Sequence, residues 1–463
     1  MVAGEKLDLE SIIDTARIGR FQILVFVLCA LVAMADGFDT QAIAFVAPEI
    51  AATWGVPASL FGPIFGAGLF GGLVGAMVFG VLSDRYGRRP ALLCAIPLFA
   101  VMSLATPFAT SIAGLATLRL LTGLGLGGAL PCIISITSEY APLRLRNSVV
   151  TFMWCGFPLG AVVGGIAAAH LIPTYGWQSV FYVGGLVPLL LLPFFWALIP
   201  ESVRFLAVRR KQAAIMRILG RMGSAGRWNG NIAAVPQRAR LSVSSLFTDG
   251  RGLGTILLWT TLFFSLLMMY FLINWIPIIA RHGGIGIGDA VLAVAMLNWG
   301  SIIGCIVLGR LIDRFRPALV ISLSFACGAV AIAAIGQVDT SAAALLALTF
   351  TAGFLSIGAQ VCTVALCAGF YGTELRATGV GWSVGVSRIG AIAGPVLGGL
   401  LLGIGVAAPS LFFIVAAASL CAAMAMLAMG WFVLRAPSRL AGPAALPEPG
   451  PRNVPAPRNV PAS

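Results

Sequence analysis

Two acidic residues interrupt the first long apolar segment of the chain. Asp36 and Asp39 stand three positions apart, so on a helix they share one face. At about 1.5 Å per residue they lie roughly 20 Å or more from the start of that helix. An ionised Asp facing lipid costs several kcal/mol, so both carboxylates must face the protein interior or a water-filled cavity, where they can exchange protons. The alternative interpretation is structural: Asp36 caps a helix break at Gly37, and Asp39 pairs with an arginine.

One arginine lies deep within the last third of the chain. Arg388 falls about 18 Å along a predicted helix when counted from Arg376. A permanent cation at that depth needs an anionic partner, either a substrate carboxylate or an aspartate of the first helix. A guanidinium matches a carboxylate through two parallel hydrogen bonds. Arg119 lies closer to the end of its predicted helix, and we assign it to substrate binding or to an interhelical network.

These side chains require elements that hold them within lipid. Of the 463 residues, 59% are hydrophobic and 10% charged, and the mean hydropathy is +1.00, which a water-soluble core cannot accommodate. Runs of about 20 apolar residues predict membrane-spanning helices. The predicted helices cover residues 21–47, 59–82, 90–110, 112–138, 147–172, 178–199, 253–280, 288–311, 317–337, 341–371, 377–403 and 408–434.

The basic residues are distributed unequally between alternate connectors. One set of connectors holds Arg85, Arg88, Arg89, Arg144, Arg146, Arg310, Arg314, Arg316 and Arg376. The other set holds only Arg281. The positive-inside rule places the basic connectors and both termini in the cytoplasm of a multi-pass protein of the cell inner (plasma) membrane. Because the net charge of +13 is spread over connectors, it predicts lipid contact and no nucleic-acid partner.

The chain divides into five predicted segments. A cytoplasmic N-terminus, 1–20, without a cleaved signal peptide, precedes a six-helix bundle at 21–199. A basic linker, 200–252, lies beside anionic lipid, with a regulatory or partner-binding role left open. A second six-helix bundle follows at 253–434. The tail, 435–463, is Pro-rich, ends in a duplicated PRNVPA and is predicted to be disordered.

A short motif occurs once in each predicted bundle. The sequence GVLSDRY at 80–86 returns as GRLIDRF at 309–315, each time after the second helix of its bundle. This repeat predicts an all-α membrane protein of twelve transmembrane helices in two six-helix pseudo-symmetric bundles. In the first copy we expect Gly80 to let helices approach closely and Asp84 to pair with a basic residue or cap a helix. We interpret the following residues as a conformational or gating motif: Gly80, Asp84, Arg85, Gly87, Arg88, Glu139, Asp313 and Arg314.

Several of these stretches resemble a known transporter family. The connector from Gly80 to Pro90 matches the GxxxD(R/K)xGR(R/K) pattern of the major facilitator superfamily. Four further stretches resemble its aromatic acid:proton symporter family, whose members carry 4-hydroxybenzoate, protocatechuate or benzoate. They are the DGFD of 36–39, the Gly-rich run from Arg119 to Pro131 with Glu139, the Asn274-Trp275 pair, and Arg376–Gly379 with Arg388–Pro395.

The resemblance implies a major facilitator fold and a central site between its halves. On this interpretation Asp36 and Asp39 couple transport to protons, and Arg388 binds the substrate carboxylate. Asn274 and Gln360 are expected to hydrogen-bond a ring hydroxyl or, alternatively, another helix. The aromatic residues Trp154, Phe157, Trp275, Trp299 and Trp382 are candidate walls for an aromatic ring, with helix packing as the alternative. Glu139 is expected to pair with Arg144 or Arg146, in a gating or stabilising role, or to handle a proton.

The predicted function is proton-coupled import of an aromatic carboxylate by alternating access. The chain is then not an enzyme and needs no cofactor beyond the proton gradient, and we expect it to be monomeric. Its nine cysteines lie in apolar runs without metal-binding spacing. Two transport alternatives remain, import of a non-aromatic organic acid or sugar and proton-driven efflux. A membrane sensor or enzyme is disfavoured, since no P-loop and no Ser/His/Asp arrangement is present.

Overall fold

The computed structural model describes residues 12–14, 18–223, 243–248, 250–338, 340–371 and 375–433. Within them, twelve helices are long and apolar enough to cross a membrane, as predicted. In chain order, TM1 to TM12 are Arg20–Trp54, Ala58–Tyr86, Arg88–Phe108, Ile112–Tyr140, Ser148–Tyr175, Gln178–Leu198, Gly252–His282, Ile287–Arg314, Pro317–Ile335, Ala342–Phe370, Thr378–Gly403 and Ala408–Val433. The predicted N-terminal segment lies mostly, and the tail entirely, outside the described residues.

The ends of the helices follow local chemistry that hydropathy does not detect. TM1 is 35 residues long and continues to Trp54, where Gly55 ends it in a left-handed conformation (φ 64°) that favours glycine. At the start of TM4 the Ser111 hydroxyl accepts a hydrogen bond from the backbone NH of Gly114. Ser341 caps TM10 through Ala344 in the same way. The same serine N-cap thus opens the fourth helix of each half.

The two halves share a tightly packed helix pair. A Cβ added at Gly127 of TM4 would lie 1.9 Å from the carbonyl oxygen of Gly72 in TM2. In the second half, a Cβ at Gly353 of TM10 would lie 1.9 Å from the carbonyl oxygen of Leu297 in TM8. Backbones in direct contact are typical of membrane helix packing through small residues. The second and fourth helices pack in the same manner in both halves, which agrees with the predicted pseudo-symmetry.

The linker contains helices that hydropathy did not predict. Two short helices, Val203–Val208 and Gln212–Arg221, follow TM6. Their apolar residues Leu206, Ile215 and Leu219 are buried with the core of the first half. This part of the linker is therefore docked on the first half.

TM2 and TM11, one helix from each half, touch towards one side of the molecule. We call the side that carries the Arg-rich connectors the basic side, and the other the opposite side. On the opposite side, a Cβ added at Gly62 of TM2 would lie 2.9 Å from Cα of Gly399 in TM11. A Cβ at Gly80, by contrast, meets no described atom within 4 Å, nor does one at Gly381. The expectation that Gly80 allows close helix approach is therefore wrong for this conformation, because no described atom packs against Gly80.

Candidate functional site

Asp39 forms a buried ion pair within the first half. Its Oδ2 lies 3.3 Å from Nη1 of Arg119, and both residues are buried. The Ser103 hydroxyl donates to Oδ1 of Asp39. Arg119 in turn donates to the hydroxyls of Thr106 and Thr122. The pair thus ties TM1, TM3 and TM4 together.

Arg119 is also covered from TM6. Its guanidinium carbon lies 4.7 Å from the ring centroid of Phe181, a cation–π distance. With one carboxylate, two hydroxyls and an aromatic face as neighbours, Arg119 is occupied by protein groups. The structure therefore has the interhelical network that was one of the two interpretations of Arg119, and the arginine partner that was the alternative for Asp39.

Asp36 has different surroundings, although it is one turn away. Its Oδ1 accepts a hydrogen bond from the Thr40 hydroxyl at 3.0 Å. Its Oδ2 is buried and has no hydrogen-bond partner among the described residues. The alternative that Asp36 caps a break at Gly37 is wrong, because TM1 is one continuous helix. Gly37 instead admits the backbone of TM5, since a Cβ there would lie 1.9 Å from the carbonyl oxygen of Phe157.

Arg388 is the unpaired cation of the site. It is half-buried in TM11, and within the described part of the chain no hydrogen bond or ion pair within 4 Å occupies its guanidinium. Its charge interacts electrostatically with Asp36 and with the Tyr270 hydroxyl of TM7. A carboxylate of the first half and a phenol of the second thus lie within electrostatic range of this guanidinium, which is an arrangement suited to an anionic ligand.

The remaining predicted binding residues are not all part of this group. Asn274 lies one turn beyond Tyr270 and donates to its backbone carbonyl at 2.7 Å. Gln360 is half-buried and follows a π-helical turn at Gly353–Ile357, a feature common at functional sites. Trp275 is completely buried and donates to the carbonyl of Pro395 at 3.1 Å. Trp275 is thus a helix-packing residue in this conformation.

The other candidate aromatic residues are spread over the molecule. Trp154 and Phe157 are half-buried, and Trp154 packs against the core of the first half. Trp299 and Trp382 are exposed by 42% and 48%. Trp382 stacks on Trp259, with ring centroids 6.3 Å apart. These positions do not form a single aromatic wall.

The first copy of the repeated motif is organised by a glutamate of the linker. Oε1 of Glu201 accepts hydrogen bonds from the backbone NH groups of Arg88 and Arg89, at 2.8 and 3.2 Å, and so caps TM3. Gly87, just before that cap, has φ 112° and would place a Cβ 2.2 Å from Oε2 of Glu201. Asp84 pairs with Arg88 at 3.0 Å. Position 87 therefore favours glycine for two reasons: the positive φ and the lack of space for a Cβ beside Glu201.

Glu139 has partners other than those predicted. Its Oε2 accepts hydrogen bonds from the Ser202 hydroxyl and from the backbone NH of Arg204. The expected pairing with Arg144 or Arg146 is absent from the described ion pairs. The reason is that the start of the linker folds back onto TM4 and occupies the carboxylate.

The two copies of the motif are not equivalent. The Arg85 carbonyl accepts a hydrogen bond from Arg209 of the linker at 2.8 Å. Asp313 and Arg314 are exposed, and neither has an ion pair among the described residues. Among the described residues, the linker thus contacts the first copy and not the second.

Sequence reasoning missed three kinds of residue. Tyr270 was not proposed, although it lies one turn from Asn274 on the same helix face. Glu201, in the basic linker, was not proposed either. Gln41 and Asn298 were not proposed, although both are polar residues inside apolar runs.

Comparisons with known proteins agree with this fold. A family model described as Major Facilitator Superfamily matches residues 29–386 and 258–458. The gallate transporter of Pseudomonas putida is 38% identical over 435 residues, covering 93% of this chain and 96% of that protein. The 4-hydroxybenzoate transporter PcaK of Pseudomonas putida is 37% identical, covering 87% of this chain and 91% of that protein. A crystal structure of a D-xylose-proton symporter superposes with a TM-score of 0.67 at 18% identity, covering 89% of this chain and 98% of that one.

Proposed function

Because the chain belongs to the Major Facilitator Superfamily, we propose that this multi-pass membrane transporter imports an aromatic carboxylate together with protons. The observation that carries the proposal is Arg388, a cation within the membrane-spanning region without an ion-pair partner among the described residues. Leaving such a charge unpaired is unfavourable, so a ligand carboxylate is its natural partner. Gallate and 4-hydroxybenzoate, the substrates in the names of the two relatives, each combine a carboxylate with a hydroxylated benzene ring.

The second part of the proposal assigns the proton to Asp36. Asp39 is occupied by Arg119 and Ser103, whereas one oxygen of Asp36 has no partner among the described residues. When the substrate carboxylate occupies Arg388, Asp36 loses the attraction of a nearby cation. A proton on Asp36 then leaves a neutral group in the closed site, which removes the cost of burying a charge.

Movement of the halves follows from the register of TM2 and TM11. These helices are antiparallel, and Gly62 contacts Gly399 while Gly66 contacts Val396. Continuing this register towards the basic side sets Gly80 opposite Gly381. We expect the basic side to close by bringing these glycines together while the opposite side opens. The positive-inside rule, which predicts cytoplasmic basic connectors and termini, supports the proposal that this conformation is open to the cytoplasm.

Uptake of radiolabelled 4-hydroxybenzoate and gallate into cells expressing the chain tests this function. We expect accumulation that a protonophore abolishes, and at least a hundredfold loss in Arg388→Ala. Arg388→Lys keeps the charge but not the paired geometry and is expected to retain partial activity. Absence of uptake of any aromatic acid by well-expressed protein would refute the substrate class and favour an organic-acid permease or an efflux pump.

A further inference from the structure

A pair of hydrogen bonds joins the two halves inside the membrane. Gln41 of TM1 and Asn298 of TM8 form two hydrogen bonds through their side-chain amides. Nδ2 of Asn298 donates to Oε1 of Gln41 at 2.9 Å, and Nε2 of Gln41 donates to Oδ1 of Asn298 at 3.2 Å. Gln41 is 0% and Asn298 1% exposed. The neighbouring contacts between the halves, such as Phe65 against Trp275, are apolar.

The pair lies between the candidate site and the opposite side. Gln41 is five residues beyond Asp36, or about 7.5 Å further along TM1. Asn298 lies eleven residues after Ile287, about 16 Å from the end of TM8 on the opposite side. A ligand that approaches Asp36 from that side has to pass the level of this pair.

We propose that the Gln41–Asn298 pair is a reversible clasp, which holds the halves together on the opposite side and opens once in each transport cycle. Its role in a cycle depends on the proposed function, but its effect on the conformation of the empty protein does not. Both amides find partners across the interface only while this side is closed. When it opens, water entering the cleft replaces both bonds.

A neutral pair suits this role better than an ion pair. Exchanging amide–amide bonds for amide–water bonds changes the free energy only modestly. Separating a buried ion pair would cost far more free energy, because each charge would be left without its partner in a poorly solvated site. The clasp can therefore bias the closed conformation without locking it.

Distance measurements by electron paramagnetic resonance test the clasp without any substrate. The exposed residues Thr53 and His282 end TM1 and TM7 on the opposite side, so they take spin labels as Thr53→Cys and His282→Cys, with the nine native cysteines replaced. We expect a short distance to dominate in the parent protein. Gln41→Ala or Asn298→Ala should lower the ratio of short to long distances by roughly tenfold. The double variant Gln41→Ala/Asn298→Ala should lower this ratio little further, because either single substitution already removes the hydrogen-bonded pair.

Two further variants make the result specific. Exchanging the residues, as Gln41→Asn with Asn298→Gln, keeps two amides and the same combined length, and should restore the short distance. Ser301→Ala is the matched control, since its buried hydroxyl bonds only to the Asn298 carbonyl of its own helix. An unchanged distribution in both single variants, or an equal shift in Ser301→Ala, would overturn the clasp. A shift in the single variants of a protein that imports no aromatic acid would support the clasp and refute the substrate class.

Discussion

At the scale of single residues, the main result is that two similar carboxylates have different partners. The sequence predicts that Asp36 and Asp39 share a helix face, but it cannot predict which neighbours they meet. Those neighbours depend on how TM1 rotates against TM3, TM4 and TM7. Asp39 faces Ser103 and Arg119 of its own half, whereas Asp36 interacts with Arg388 of the other half. The Asp39–Arg119 pairing was an open alternative that only three-dimensional packing could decide.

Replacing Asp36 by Asn should uncouple transport from protons. The amide keeps the size of the side chain and an oxygen for Thr40, but it cannot bind or release a proton. We expect accumulation against a gradient to fall at least tenfold in proteoliposomes, while exchange of labelled for unlabelled substrate persists. Asp289→Asn, at the start of TM8, is the control and should behave like the parent. Loss of exchange together with accumulation would contradict a role confined to the proton.

The Asp39–Arg119 pair should show strong coupling in stability. Arg119→Gln leaves the Asp39 carboxylate buried without its cation, which typically costs about 3–5 kcal/mol. Adding Asp39→Asn removes that unpaired charge, so the double variant should melt at a higher temperature than Arg119→Gln alone. Thermal unfolding in detergent gives the melting temperatures of the single and the double variant. Equal melting temperatures for the single and double variants would show that the ion pair does not form.

At the scale of elements, the twelve spanning helices were predictable because lipid demands long apolar segments. The linker helices were not, because helices as short as Val203–Val208 need only a few apolar residues to dock. Their anchor, the contact of Glu201 with the NH groups of Arg88 and Arg89, joins residues far apart in the chain. Hydropathy contains no information about such a contact.

Gly127 of TM4 and Gly80 of TM2 should differ in their response to substitution. Gly127→Ala places a methyl group against the Gly72 carbonyl, so it should lower the melting temperature and the yield of folded protein. Gly80→Ala meets open space within the described structure and should not change the melting temperature. The larger Gly80→Leu should reduce transport at unchanged stability, because it obstructs closure against Gly381. Normal transport in Gly80→Leu would refute the predicted register.

At the scale of the whole molecule, the sequence predicted two related bundles, but not the conformation in which they meet. Each half is held by its own backbone contacts, such as Gly127 on Gly72. Between the halves, the backbone contact of Gly62 with Gly399 lies on the opposite side. The same sequence pattern is compatible with closure of either side. Which side is closed depends on small differences in free energy between the two interfaces.

The open basic side should be detectable by labelling from the cytoplasm. In a cysteine-free background, Gly381→Cys should react with a membrane-impermeant maleimide in inside-out vesicles and resist it in right-side-out vesicles. Gly399→Cys occupies the contact with Gly62 and should react poorly in both. Labelling of Gly381→Cys from the outside would reverse the proposed orientation.

The internal pairing of Asp39 with Arg119 has an electrical consequence. Because these two charges cancel within one half, Asp36 and Arg388 are the charges left at the site among the described residues. The empty carrier then moves one negative and one positive charge together. A carrier loaded with one proton and one monovalent acid moves a neutral Asp36 and a neutralised Arg388. In the proposed cycle of one proton and one acid, neither step would transfer net charge across the bilayer, so we expect that the membrane voltage does no work on import and that the difference in acidity between the two compartments alone drives accumulation.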